Sequence, residues 1–233
     1  MIVRAAVVPH PPLLVPELVV GADVDVTAVR EACLTVATRL TSAAPRWLAV
    51  GTGPVGRLGP DAAGTFAGFG VDVPVRMSDT ATSSPDPAMP LSALVTAWLR
   101  EHAGATEVTM HLIPPDLSPE DCYALGERLA AEPAQVGLLI AGDGSHRHGE
   151  GAPGRSDDRA SPFDAAVHEA LRSADAKALQ ALDPKLADEL GAAGRAPWQV
   201  LAGAMGQDRW TADARLLVPF GVAYHLAVLD PVT

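Results

Sequence analysis

Four side chains capable of proton or metal chemistry fall within six positions of one another in the run AGDGSHRHGEGAPGRSDDRASP, residues 141–162: Asp143, Ser145, His146 and His148. An imidazole titrates near neutral pH, and a neighbouring carboxylate or hydroxyl can fix its orientation for general acid and base work. That reading nominates His146 as the proton-handling group, with Asp143 and Ser145 beside it. The same spacing, D-x-x-H-x-H, also suits a divalent metal, because residues two apart at an extended strand end project to one side. The run follows VGLLIAG, residues 136–142, an apolar stretch expected to be a buried strand, and α/β proteins place their sites where such strands end. Unstructured loops longer than about a dozen residues are uncommon in compact folds unless they are functional or disordered. The plainer alternative is a solvated loop whose acids and arginines pair in water.

Two other segments carry motif-like residues. GTGPVG, residues 51–56, matches G-x-G-x-x-G after an expected strand, but RLGPDAAGTFAGFG follows where a dinucleotide fold requires a helix, and Asp72 lies only sixteen residues beyond Gly56. A glycine turn lining a pocket through Thr52 and Gly53 is the preferred reading. In VVPHPPLLVPE, His10 leaves a strand into a rigid Pro-Pro segment. Were strands 2–8 and 136–142 parallel neighbours, His10 and His146 would reach the same sheet edge and flank a ligand. Glu17 reads as a solvated acid and His148 as a loop histidine facing water. His111 reads as a satisfied core group, His102 and His168 as surface, and His225 as core or pocket. Arg195 either offers a fixed guanidinium to an anion or pairs with surface acids.

These residues need elements to hold them. IVRAAVV (2–8), RWLAVG (46–51), VPVRM (73–77), EVTMHLI (107–113), VGLLIAG (136–142), ARLLVPF (214–220) and AYHLAVL (223–229) have the β-branched character of strands. Helical spacing marks residues 25–43, 91–103 and 118–132, then 161–182 and 184–205, with Pro184 and Pro197 suited to first turns. The alternation predicts an α/β sandwich with a largely parallel centre, closed by an antiparallel pair around the Pro219–Gly221 turn. SDTATSSPDPAMP, residues 78–90, reads as a solvated loop or lid without chemistry of its own.

Composition narrows the partners. The chain has 233 residues, 48% of them hydrophobic, with 17 Lys and Arg against 28 Asp and Glu, a net charge of −11. Such a balance repels the phosphate backbone, so no nucleic-acid partner is expected. Prolines at 9, 11, 12 and 16 break the apolar N-terminus, and no apolar run approaches the roughly twenty residues that cross a bilayer, so neither export nor a membrane is expected. Cys33 and Cys122 show no metal spacing. A cytoplasmic protein with a small-molecule ligand is the expectation, and a homo-oligomer is left open.

VPHPPLLVPE, AGDGSHRHGEGAPG, FDAAVHEALRSADAKALQALDP, GAAGRAPWQVLAGAM and VPFGVAYHLAVLD, in that order, resemble the catalytic-subunit-B family of class III extradiol ring-cleavage dioxygenases, and also the Memo proteins that share its fold. The resemblance implies one domain over residues 1–233, a three-layer α/β/α sandwich with a mixed, largely parallel sheet. It implies Fe(II) held by two histidines and a carboxylate, with a further histidine as acid and base. His10 falls on the first ligand and His146 on the acid/base position. Thr52 or Gly53 stands where the second histidine belongs. Ala192 or Ala193 stands where the carboxylate, or the cysteine of Memo proteins, belongs. The resemblance thus implies a degenerate iron site, with no cofactor or only a residual divalent metal at His10, and a pocket lined by His10, Thr52, Gly53, His148, Ala192, Ala193 and Arg195. Three functions stay open: a family member that binds or modifies a small anionic or aromatic molecule, a metal-dependent enzyme with an altered ligand shell, and a Memo-like protein-binding scaffold.

Overall fold

A computed structural model describes residues 1–19, 21 and 23–232. The elements are β1 (Ile2–Val8), α1 (Val24–Ala43), β2 (Arg46–Thr52), β3 (Gly56–Leu58), β4 (Ala63–Thr65), β5 (Pro74–Arg76), α2 (Leu91–Ala103), β6 (Glu107–Ile113), α3 (Pro119–Ala130), β7 (Val136–Ala141), α4 (Ala160–Arg172), α5 (Ala176–Gln180), α6 (Pro184–Leu190), α7 (Arg195–Met205), β8 (Trp210–Leu217) and β9 (Tyr224–Pro231). Seven strands form one sheet in the order β3-β6-β2-β7-β1-β9-β8. The central four, β6, β2, β7 and β1, are parallel, while β3, β9 and β8 join antiparallel to their neighbours. This is the mixed α/β sheet with helices on both faces that the strand and helix alternation predicts.

The pleat explains why β7 reads as one unbroken apolar run. Flanked by β1 and β2 and covered on both faces, it buries all six residues. Alternate side chains divide between two cores. Val8, Trp47, Met110 and Leu139 pack with Leu14, Cys33 and Tyr224 beneath α1 and α2. Val7, Val50, Ile140 and Leu229 pack with Val167, Trp198 and Leu201 beneath α3, α4 and α7. Helix starts follow the chemistry in the sequence: the Asp23, Ser118 and Asp183 side chains accept N–H groups of the first turn, and Pro119 and Pro184 occupy first-turn positions.

Several boundaries move, each for a local reason. Residues 73–77 do not enter the main sheet; Pro74–Arg76 pairs with Ala63–Thr65 in a separate two-stranded sheet. The strand placed at 214–220 instead spans Trp210–Leu217, since Pro219 has no N–H to donate and Phe220 turns left-handed at φ 56°. The single helix expected over 161–182 breaks at Ala174, with φ 53°, and restarts where the Asp175 side chain accepts the Ala178 N–H. The 78–90 segment is stitched down rather than free: Ser78 bridges to Glu107, Asp86 bridges to Gly64, and Met89 is buried. No helix among the described residues is long and apolar enough to cross a membrane.

Helices α3 and α7 touch backbone to backbone. A Cβ at Gly126 would collide with the Val200 carbonyl and the Ala204 N–H, and one at Gly203 with the Tyr123 carbonyl. Gly126→Ala must push the helices apart, so it is expected to lower stability by about 1–3 kcal/mol, measured by urea denaturation. A variant as stable as the parent would show that the two helices do not meet at this distance.

Candidate functional site

The ends of the parallel strands and the start of β9 lie on one edge of the sheet, and the loop after β7 is wound onto it. Gly142 donates its N–H to the Val8 carbonyl at 3.0 Å. Gly144 donates to Ala223 at 2.8 Å, Ala223 back to Ser145 at 2.9 Å, and His148 to Gly221 at 3.0 Å. The polar loop therefore continues β7 as an irregular ladder against the β8–β9 connection rather than lying loose in water. Its opening glycine permits a second close approach, because a Cβ at Gly142 would strike the Cα of Gly194. Gly194 in turn donates its N–H to the Asp143 carbonyl at 2.8 Å. The start of α7 is thus docked on the end of β7.

Beneath the loop lies Asp164, a fully buried carboxylate on α4. It accepts His148 Nε2 at 2.7 Å, His225 Nε2 at 2.8 Å and the Ser145 N–H at 3.2 Å. Hydrogen bonds to a charged group contribute about 1.5–3 kcal/mol each, against a desolvation cost of several kcal/mol for an unpaired ion. Three donors, two from the loop after β7 and one from β9, are what let this carboxylate stay inside. His225 is wholly buried, edge-on to Trp198 with ring centres 5.2 Å apart. Ser145, also buried, donates its hydroxyl to the Leu190 carbonyl at 2.9 Å and accepts the Arg147 N–H at 3.2 Å. Ser145 is therefore committed to holding the loop against the end of α6. His148 does not face water: its ring turns inward to Asp164.

His146 occupies a slot between two glycines. A Cβ at Gly154 would collide with its Nδ1 and one at Gly191 with its Nε2, and the buried Nδ1 has no hydrogen-bond partner. Asp143 does not orient this ring. Its carboxylate accepts the backbone N–H of His10 at 2.9 Å and lies 3.6 Å from His10 Nδ1, too far for a hydrogen bond. The Asp143 charge is also felt by Cys33 and Tyr224, whose thiol and phenol are pushed upward first by burial and then by this carboxylate. The parallel register of β1 and β7 does bring His10 and the histidine loop to one edge, as Val8 opposite Ala141 requires. Among the described residues, neither imidazole has a hydrogen-bond partner at its buried Nδ1.

Thr52 ends β2 opposite Ile113, and its carbonyl accepts the Ser92 hydroxyl at 2.8 Å. Gly53 donates its N–H to Ile113 at 2.9 Å. No helix opens here; β3 follows, which confirms a glycine turn rather than a phosphate loop. Ala192 and Ala193 lie between α6 and α7 and line a cavity of about 420 Å³ with Gly191, Asp116, Lys185 and Asp188. Arg195 reaches the same cavity but offers no free guanidinium. It is buried and donates to the Pro115 carbonyl, to the Leu117 carbonyl at 2.6 Å and to Gln199 Oε1 at 2.9 Å, bracing the loop before α3. His10, Thr52, Gly53, Asp143, Ser145, His146 and His148 are not among the residues lining this cavity; Gly191, which abuts the His146 ring, is. Among the described residues, no group of three or more His, Cys, Asp or Glu side chains is placed to hold a metal ion.

Residues 87–223 match the family model described as the catalytic LigB subunit of aromatic ring-opening dioxygenase. The chain belongs to this LigB family. The matched segment runs from four residues before α2 to the residue before β9, so it contains the histidine loop, Asp164 and the α6–α7 turn. The crystal structure of an uncharacterized protein of Escherichia coli K12, JW3007, is similar over 98% of this chain and 99% of its own, with a TM-score of 0.54 at 14% identity, a likeness of fold. No curated protein matches the chain.

Asp164 was not singled out by motif reasoning, yet it left a trace: an acid on the apolar stripe formed by Ala160, Phe163, Val167 and Leu171. Asp164→Ala strands two imidazoles and is expected to cost about 3–5 kcal/mol. His148→Ala, which removes one of the three donors, is expected to cost less, about 1.5–3 kcal/mol. Equal, small losses in urea melts of both variants would contradict the central place given to this carboxylate.

Proposed function

We propose that this LigB-family chain binds a small aromatic molecule at the strand-end edge through His146, and that its non-haem iron site is degenerate. The observation that carries the reading is the His146 ring, held between Gly154 and Gly191 with an unsatisfied Nδ1, beside the cavity that Gly191 lines. A ring so held is fixed in orientation; Nδ1 is buried against Gly154, and Nε2, on the Gly191 side, is the atom that would donate to or accept from a ligand.

The residues at hand do not fit Fe(II). Tight binding at such sites comes from several convergent donors and the groups that orient them. Here Ala192 and Ala193 offer no side-chain donor, Gly53 none, and Thr52 at most a hydroxyl. The His10 ring lies 3.6 Å from the Asp143 carboxylate and, among the described residues, belongs to no group of three His, Cys, Asp or Glu side chains placed to hold a metal ion. The cavity chemistry also favours the aromatic over the anionic alternative. With Arg195 spent on carbonyls, Lys185 is the cation left among the lining residues; it pairs with Glu189 at 3.9 Å, and the carboxylates of Asp116 and Asp188 share the lining.

Two outcomes follow. Anaerobic loading with Fe(II), then oxygen, is expected to yield no ring-opened product from catechols; turnover on the order of 1 per second or faster would refute the degenerate-site reading. His146→Ala is expected to leave the melting temperature nearly unchanged while abolishing the thermal shift of any aromatic ligand found by screening the parent. A variant that binds as the parent does would remove His146 from the site.

A further inference from the structure

A second niche lies on the opposite margin of the sheet, where edge strand β3 runs beside β6 under α3. Arg57 on β3 sits directly across from His111 on β6 in the antiparallel register, so both side chains stand on the same face. Helix α3 closes the other wall and contributes Arg128 and Asp121. The space between has a volume of about 570 Å³, and Leu112, Ile113 and Leu125 form part of its lining. Val55, 80% exposed, stands at its rim. Neither arginine takes part in an ion pair among the described residues, although the chain holds eleven more acids than bases.

From this arrangement we infer a binding site for a small organic monoanion with an apolar body, such as an aromatic carboxylate, gripped by Arg57 and Arg128 over His111. Two guanidiniums can each present a fork of donors to a carboxylate. The Ile113 and Leu125 side chains account for the apolar half, which a bare inorganic anion would leave unused. His111 is not the satisfied core group expected from its strand. It is half-buried, and its pKa lies below the usual histidine value because burial, then Arg57, then Arg128 disfavour the imidazolium. Apart from these arginines, Asp121 is the charged group facing the niche, and it is already engaged by the Ser118 hydroxyl at 2.8 Å. An anion seated between the arginines offsets their repulsion of His111, so it raises the imidazole pKa. By linkage the anion binds more tightly as pH falls through that pKa.

The site is separate from the His146 cavity, and its test can fail on its own. Benzoate is titrated into the protein while the imidazole Cε1–H resonances are followed by NMR, the His111 signal being assigned by its loss in His111→Gln. The expected result is a saturable shift of the His111 resonance with a dissociation constant on the order of 1 mM, tighter at lower pH. In Arg57→Gln/Arg128→Gln, whose altered side chains are exposed, the affinity falls at least about tenfold with an unchanged melting temperature. Benzamide, neutral and of the same shape, produces no saturation, and inorganic phosphate binds more weakly than benzoate. The inference is overturned by an unmoved His111, by equal affinity in the double variant, by benzamide or phosphate binding as well as benzoate, or by a shift confined to His146.

Discussion

The buried carboxylate of Asp164 is the constraint on which the strand-end edge depends. An ion with no solvent must be met by donors, and the donors it has come from the loop after β7, from that loop again three residues later, and from β9. Meeting them forces Ser145 and His148 inward. Once both neighbours point down, His146 is carried to the glycine slot. The polar composition of the loop, puzzling for a connection leaving a buried strand, follows from this: its serine and one histidine are internal ligands of Asp164, and its other histidine is the group displayed.

The two faces of the sheet divide the remaining polar residues. On the α1–α2 side, Asp143 serves His10 and weighs on Cys33 and Tyr224. On the α3–α7 side, Asp164, His225, Trp198 and Arg195 lock the helices to the strand ends. None of these contacts runs through Thr52, Gly53, Ala192 or Ala193 as side-chain donors. The scaffold is held by backbone pairing, by the docking of Gly194 on Gly142 and by the Arg195 brace, so a LigB-type frame can persist whatever occupies the iron-ligand positions. That independence supports the proposed reading of a ligand-binding member of the family without its metal.

Regular periodicity made most of the fold legible. β7 is a continuous apolar run, β1 is interrupted only by Arg4, β6 alternates Val108, Met110 and Leu112 with polar neighbours, and α1 and α2 carry helical spacing, so their limits were readable to within one residue. β5 was readable inside residues 73–77, though not its place in a separate sheet; β3 and β4, three residues each and containing glycine, have too few side chains to display a period. The site was legible as a segment but not as a set of contacts. Asp143 and His146 are neighbours in sequence, yet the turn between them sends the carboxylate to His10. Asp164, eighteen residues beyond His146, is the partner of His148 and His225. Arg195 looked free because its acceptors are the carbonyls of residues 115 and 117, and carbonyls carry no signal in a sequence.

On the proposed reading, the strand-end edge that holds His146 works without a metal. Elemental analysis of the protein purified without chelator, and again after anaerobic exposure to Fe(II) followed by desalting, tests it most directly. The account predicts no stoichiometric metal in either sample and the same melting temperature in both. Close to one metal ion per chain, retained through desalting and raising the melting temperature, would contradict it and return the protein to the metal-dependent enzymes of its family.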